Sequence, residues 1–166
     1  MSSAALASLA KIGQLKAEPA SALDIERLLA MAHKHLDDAK RESNSLEGRF
    51  ISAYSVGHAA GLAALRWHGY RSENRYLVFQ TLQHTVGWTA VQWRQLDSAH
   101  NKRNLAEYEG YLEVEPSYVE GLIALVSLLL NDVHSLVIPK QRTSADVGNL
   151  TDIAKGANTQ DVRNRP

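Results

Sequence analysis

The chain has 166 residues, 45% of them hydrophobic and 22% charged, with 18 basic and 18 acidic side chains. This is the composition of one globular domain, and a formal charge of zero excludes a global field for a polyanion, so any nucleic-acid contact needs a local patch. The absence of cysteine from the sequence excludes disulfides, thiolate zinc sites and a cysteine nucleophile.

The first half of the chain predicts helices separated by polar turns. Residues 4–15 predict a short helix. Ser21 is then a predicted N-cap with Asp24 three residues later, and apolar residues continue at helical spacing to about Lys40. A further start at Asn44 leads into a helix rich in glycine and alanine, whose small residues let a neighbour approach closely. The polar segment HGYRSEN ends it.

The second half predicts three more helices. The first spans about residues 75–86 and is interrupted by Gly87. The second carries the most polar motif of the chain and ends at Gly110. Ser117, with Glu120 three residues later, forms a capping-box signature for the last helix. No stretch predicts paired strands.

These elements predict an all-α fold, an antiparallel bundle of four or five helices with short loops. We expect a helical segment in residues 1–20, the bundle in residues 21–138 and a flexible polar tail in residues 139–166, which is poor in large apolar groups. The most apolar stretch, residues 119–130, is too short to cross a bilayer, and the N-terminus lacks the basic region of a secretory signal. We therefore expect a soluble cytoplasmic protein.

The segment HNKRNLAEYEGY, residues 100–111, is the least typical of the chain. On a helix, one side would carry His100, Arg103, Asn104, Glu107, Tyr108 and Tyr111. An apolar stripe usually has this spacing, but here the stripe is polar and reactive. It is compatible with a solvated face held by ion pairs, a buried hydrogen-bond network or an active site.

This motif resembles the signature of the HEPN superfamily, and in particular its bacterial branch, in which the motif reads Arg-Asn-x-x-(Asp or Glu)-Tyr. The resemblance covers about residues 21–136. It rests on four motif residues and on a weaker match in an earlier helix, namely Arg103, Asn104, Glu107 and Tyr108, with Arg49, Phe50 and Tyr54. The resemblance implies a helical bundle, often a homodimer with facing motifs, and a nucleotidyltransferase-type partner in toxin–antitoxin or antiviral defence systems. Active members are metal-independent endoribonucleases.

In catalytic members of the family, four to six residues separate the arginine from a histidine that follows it. This chain has Tyr108, Glu109 and Gly110 at the corresponding positions. Metal-free cleavage of RNA needs a base, an acid and a cation that stabilises the phosphorane. Arg103 can supply the cation, but tyrosine is a poor base at neutral pH. His100, one turn earlier, is the available substitute.

Two functional hypotheses follow. The first is a HEPN-like module, weakly or not catalytic, that binds RNA, a nucleotide or a partner protein through Arg103, Asn104, Glu107, Tyr108, Arg49 and Tyr54. The second is a metal-independent endoribonuclease that uses Arg103 with His100 or Tyr108. Neither implies a cofactor, a metal ion or a membrane. A purely structural network, with the function elsewhere, is the third possibility.

Other titratable side chains have simpler interpretations. His33 and His35 are two residues apart and point to different sides of a helix, so we expect a solvated face and no shared metal ion. His58 is expected to be a satisfied core group, or else to face Arg103. A scattered basic surface, or alternatively a small basic rim, is expected from Arg66, Arg71, Arg75, Arg94 and Lys102.

Overall fold

The computed structural model describes the backbone of residues 2–155 and the side chains of residues 4–138. The described chain is mostly helical, which confirms the all-α class. In chain order the elements are α1 (Ser2–Lys11), β1 (Lys16–Ala17), α2 (Ala22–Lys40), α3 (Leu46–Trp67), β2 (Tyr70–Arg71), α4 (Arg75–Gln80), α5 (Leu82–Thr85), α6 (Ala90–Glu109) and α7 (Pro116–Lys155).

Side-chain caps fix the starts of α2 and α3. The predicted capping box of α2 is confirmed, since Ser21 Oγ accepts from the backbone of Asp24 at 3.1 Å and Asp24 accepts in return at 3.0 Å. The predicted N-cap of α3 was wrong by one residue. Ser45 caps that helix by accepting from Gly48 N, whereas Asn44 donates to the Asp38 carbonyl at the end of α2. Asn44 therefore closes the preceding helix and does not begin the next.

The remaining helix boundaries follow from local backbone chemistry. The helix predicted over residues 75–86 is two short helices, α4 and α5, that meet at Thr81. The left-handed φ of 77° at Gly110 ends α6 at the predicted residue. The last helix begins at Pro116, so Ser117 lies inside its first turn and is not the predicted N-cap. Proline suits this first position because its missing N–H would be unpaired there anyway.

A two-stranded antiparallel sheet, absent from the sequence prediction, joins β1 to β2 with Lys16 opposite Arg71 and Ala17 opposite Tyr70. Strands of two residues carry no period-2 pattern from which they could be recognised. The sheet holds the N-terminal segment against the end of α3. Near it, α1 and the following turn pack on α3 and α4 through a small buried cluster of Leu6, Leu15, Leu65 and Val78.

Helix α3 lies at the centre of the fold and contacts α2, α4, α6 and α7. Its small residues bring neighbouring side chains close, as the sequence predicts. A Cβ atom added to Gly57 would lie 3.1 Å from Leu96 of α6 and 3.3 Å from Val126 of α7. The main core therefore forms where α2, α6 and α7 pack around α3, and it places one face of α6 against the middle of α3.

Helix α7 is longer than the apolar stretch visible in the sequence. Within it, Pro116–Ile138 has 23 residues and contains an 18-residue window with a mean hydropathy of 1.9. This is enough by length and composition for a membrane span, a test that core helices of soluble proteins also pass. One side of this segment is buried against α2 and α3, through Val119, Val126, Leu129, Leu130 and Val133. The helix continues to Lys155. The predicted flexible tail, residues 139–166, begins inside this helix. The side chains of the tail lie outside the described residues.

Candidate functional site: a polar network between α3, α4 and α6

The polar stripe of α6 divides into an inner part and an outer part. His100, Arg103 and Asn104 are partly buried and turn toward α3. Glu107 is exposed and forms an ion pair with Arg103. Tyr108 is 90% exposed and makes no hydrogen bond to a described side chain. Within one described chain, Tyr108 therefore does not join Arg103 and Asn104 in an inward network, and an interfacial role of these three residues stays a prediction.

The hydroxyl of Tyr54 is the centre of the inner part. Tyr54 lies on α3 with its side chain almost completely buried. Arg75 Nη1, from the first residue of α4, donates to this hydroxyl at 2.9 Å, and the hydroxyl lies 2.9 Å from His100 Nδ1. The amide group of Asn104, one turn further along α6, lies 3.1 Å from His100 Nε2. A continuous polar chain thus joins three helices.

Burial lowers the pKa of His100, and the positive charge of Arg75 lowers it further, against a smaller opposing effect of Asp97. The ring is therefore neutral at neutral pH, with one donor and one acceptor nitrogen. Asn104 Nδ2 faces Nε2 and donates to it, so Nε2 is the acceptor nitrogen and Nδ1 carries the proton. His100 Nδ1 then donates to the Tyr54 hydroxyl, which also accepts from Arg75 Nη1.

Arg103 is held above the aromatic ring that anchors the network. Its guanidinium carbon lies 5.4 Å from the centroid of the Tyr54 ring, and its Nη2 lies 3.1 Å from Glu107 Oε1. The side chain is 27% exposed, so the guanidinium is sheltered but reachable from solvent. Arg75 lies 5.6 Å from the same centroid. Two guanidinium groups thus flank one ring, with Glu107 as the only described carboxylate within ion-pair distance of either.

His58, one turn after Tyr54 on α3, is the second histidine of this region. Burial lowers its pKa to about 4, and the charges of Arg75, His100 and Arg103 act in the same direction. Its ring packs edge-on against Phe79, whose ring also contacts Tyr54 and His100. Of the two interpretations of His58, the structure supports the one in which it faces the charges around Arg103.

Arg75 is the functional residue that the sequence alone did not assign. The sequence indicates Arg75 only as one of several basic residues near a turn, and His58 as a satisfied core group or as a residue that faces Arg103. His58 lies one turn after Tyr54 on α3, but Arg75 is on α4 and His100 on α6, so no spacing in the sequence relates these residues to one another. The available signal was the arginine placed directly after the helix-capping residue Asn74.

Arg49, expected in the binding set, lies at a different place in the fold. Its Nε donates to the carbonyl of Ala39 at 2.8 Å, and its Nη2 lies 2.6 Å from Glu120 Oε1. The side chain is 13% exposed. Arg49 therefore ties the end of α2 to the start of α7, and the structure does not bring it to Tyr54 or Arg103.

His33 has a partner that the sequence did not predict. Its Nε2 lies 2.7 Å from His134 Nε2 on α7, with the ring centroids 4.9 Å apart. Burial lowers the pKa of His134, and the nearby His33 adds to this effect. Among the described residues, no group of three or more histidine, aspartate or glutamate side chains is placed to hold a metal ion. The pair therefore links α2 to α7 by a hydrogen bond.

No family model matches this chain, and no curated protein or solved structure is significantly similar to it. The chemistry of this protein is therefore inferred from the geometry of the site. Its chemistry is cationic and hydrogen-bonding: two guanidinium groups, a neutral imidazole and an amide surround one buried phenol. Such a group of donors is suited to an anion with several acceptor oxygens.

Proposed function

We propose that this protein is a HEPN-like helical module that is weakly or not catalytic. It binds RNA at Arg103, through the phosphate groups of the RNA. The observation that carries the proposal is the placement of the Arg103 and Arg75 guanidinium groups against the single buried ring of Tyr54. Arginine recognises phosphate through paired N–H donors, and the local excess of positive charge supplies the patch that a neutral chain otherwise lacks.

The hydrogen bonds of His100 favour binding over catalysis. Both of its ring nitrogens are engaged, one with Tyr54 and the other with Asn104, so neither is free to take the proton of a ribose 2′-hydroxyl. Glu107 is paired with Arg103, so its carboxylate is already engaged. Tyr108 points into solvent, away from the histidine. These contacts support a binding role over the cleavage of RNA.

The family resemblance extends the proposal to architecture and partners. We infer an antiparallel bundle of four or five helices of the HEPN type, in a bacterial cytoplasmic protein with a toxin–antitoxin or defence role. It would act as a homodimer or beside a nucleotidyltransferase-type partner. Support for a partner comes from the end of α6, where Leu105, Tyr108 and Tyr111 are large and exposed. A second subunit bound to this end of α6 would cover these three side chains and would make Tyr108 part of the site.

Fluorescence anisotropy with a labelled single-stranded RNA tests the proposal. We expect Arg103→Ala to weaken RNA binding by about tenfold, the effect of one charge-assisted hydrogen bond. Arg94→Ala is the matched control, because Arg94 is on the same helix and also lies over an aromatic ring, that of Trp93 at 5.4 Å. Equal RNA affinities for the two variants would reject Arg103 as the binding residue. If the protein bound a partner protein and no RNA, the proposed ligand would change from RNA to that partner.

Incubation of the protein with total RNA in EDTA separates binding from catalysis. We expect no cleavage. Cleavage by the wild type that disappears in both Arg103→Ala and His100→Ala would establish the endoribonuclease and overturn the binding module. Light scattering after size-exclusion chromatography tests the dimer, since a monomer of 18.3 kDa would exclude a homodimeric site.

A further inference from the structure

A cleft of about 630 Å³ lies between α2, α3 and the turn that joins β2 to α4. Arg75 and His58 form part of its wall, so it borders the polar network, but Arg103 and His100 do not line it. Its volume lies within the range of small-molecule sites, about 300–1,000 Å³. The cleft has a mixed lining, with charged groups on one part and apolar groups on another.

Most of the charge in the cleft is already compensated. Glu18 lies 3.4 Å from Arg66 and 3.6 Å from Arg71, and Arg71 also lies 3.6 Å from Glu73. The third lining carboxylate, that of Asp24, accepts from Ser21 in the capping box of α2. These contacts leave two of the four lining arginines without a carboxylate partner among the described residues.

The two remaining arginines, Arg27 and Arg75, come from different helices. Arg27 is exposed on α2 and forms no hydrogen bond or ion pair with a described residue, although its charge attracts Asp24 from a distance. Arg75 donates to the hydroxyl of Tyr54 but contacts no described carboxylate. Four arginines against three carboxylates give a small positive excess. This excess suits one phosphate group better than a polyphosphate or a nucleic-acid backbone.

The apolar part of the cleft is formed by Leu28, Met31 and Leu62. Met31 is 44% exposed, and a methionine thioether makes favourable contacts with flat aromatic rings. His58 lies on the same wall and is neutral at neutral pH, because burial lowers its pKa to about 4. It therefore offers one donor and one acceptor to a polar edge without adding charge.

We propose that this cleft binds a nucleoside monophosphate, with the phosphate contacted by Arg27 and Arg75 and the base placed against Leu28 and Met31. The carboxylates at the rim, such as that of Glu73, offer acceptors to the ribose hydroxyls. This inference concerns a second ligand and does not require RNA to bind at Arg103. Because Arg75 belongs to both the cleft and the Tyr54 network, the nucleotide would contact the RNA-binding site directly.

Isothermal titration calorimetry of the full chain with AMP and CMP tests the inference, with adenosine, inorganic phosphate and ATP as comparisons. We expect at least one nucleoside monophosphate to bind, and adenosine and phosphate to bind about tenfold more weakly or not at all, because each lacks one half of the contacts. Arg27→Ala should weaken the binding by about tenfold. Arg27 is exposed, so its removal should leave the fold intact.

Arg41→Ala is the matched control, since Arg41 is an exposed arginine just after α2 whose side chain forms an ion pair with Asp38. It should bind the nucleotide like the wild type. The inference is overturned if neither AMP nor CMP binds, if Arg27→Ala equals Arg41→Ala, if phosphate binds as tightly as the nucleotide, or if ATP binds more tightly. Arg103→Ala separates the two proposals, because it should lose RNA binding and keep nucleotide binding.

Discussion

The hydroxyl of Tyr54 lies 2.9 Å from Nδ1 of His100 and joins the buried side of α3 to α6. The two rings are nearly parallel, with an interplanar angle of 14°. Arg75 donates to the same hydroxyl, and Arg103 lies over the Tyr54 ring. One buried phenol thus fixes the positions of an imidazole and two guanidinium groups. Any function of these side chains depends on that arrangement, and each contact within it predicts a measurable effect.

Removal of the Tyr54 hydroxyl should destabilise the protein. We expect Tyr54→Phe to lower the free energy of unfolding by about 1–3 kcal/mol, because Arg75 and His100 would both lose a buried partner. Urea denaturation measures the change. Tyr108→Phe is the control, since that side chain is 90% exposed and should change stability by no more than about 0.5 kcal/mol. Equal losses in the two variants would show that the hydroxyl of Tyr54 has no special role.

Replacement of Arg49 should destabilise the protein more than replacement of Glu120, its partner in an ion pair. Arg49 also donates to the Ala39 carbonyl at 2.8 Å, so Arg49→Ala removes two interactions of a side chain that is 13% exposed. We expect a loss of about 1–2 kcal/mol for Arg49→Ala and under about 1 kcal/mol for Glu120→Ala in urea denaturation. RNA binding should stay unchanged in both variants. A loss of RNA affinity in Arg49→Ala would return Arg49 to the binding set.

His58 should make stability fall as the solution becomes acidic. Its pKa is about 4 in the folded protein and about 6.5 when unfolded, so the unfolded chain takes up the proton first. The stabilisation is complete above about pH 6.5 and is lost as the pH falls toward 4, by about 2–3 kcal/mol in total. Denaturation curves of the wild type and His58→Gln between pH 7 and pH 4 measure it.

The comparison with His58→Gln isolates this residue, because the lowered pKa values of His100 and His134 remain in both proteins. The difference in unfolding free energy between wild type and variant should shrink as the pH is lowered. A difference that is constant across this range would mean that His58 has the same pKa in the folded and unfolded chain.

The salt dependence of RNA binding should show whether the charged group of Arg103 contacts a phosphate. Binding to single-stranded RNA releases counterions, and the slope of log K against log salt changes by about 0.7 for each phosphate contact. We expect Arg103→Ala to reduce the slope by about that amount and Arg94→Ala to leave it unchanged. Anisotropy titrations at several salt concentrations give the slopes. An unchanged slope in Arg103→Ala would place the phosphate contact on another residue.

The helices that build this protein were predictable because their signals are local. The capping box of Ser21 and Asp24 and the left-handed Gly110 act within one turn of the chain, and both are found where they were predicted. The polar side of α6 was predictable for the same reason, because side chains three and four residues apart lie on one side of a helix. The starts of α3 and α7 were misplaced, because several residues near each start can serve as a cap.

Periodicity alone could not decide which members of the α6 stripe are buried. At about 100° per residue, Tyr108 is rotated about 80° from His100, and it lies in the last turn of the helix. His100 and Asn104 face Tyr54 because the middle of α6 packs on α3, whereas Tyr108 lies beyond that contact and is exposed.

The sequence by itself determined the helical class and the set of reactive side chains on α6, because hydrogen bonds within a helix and its caps depend only on neighbouring residues. The tertiary structure alone decided that Arg75 and His58 join them, that Arg49 does not, and that Arg27 and Arg75 share a cleft. These outcomes depend on how α2, α4 and α6 pack around α3. That packing brings together side chains from distant parts of the chain, which no local pattern relates to one another.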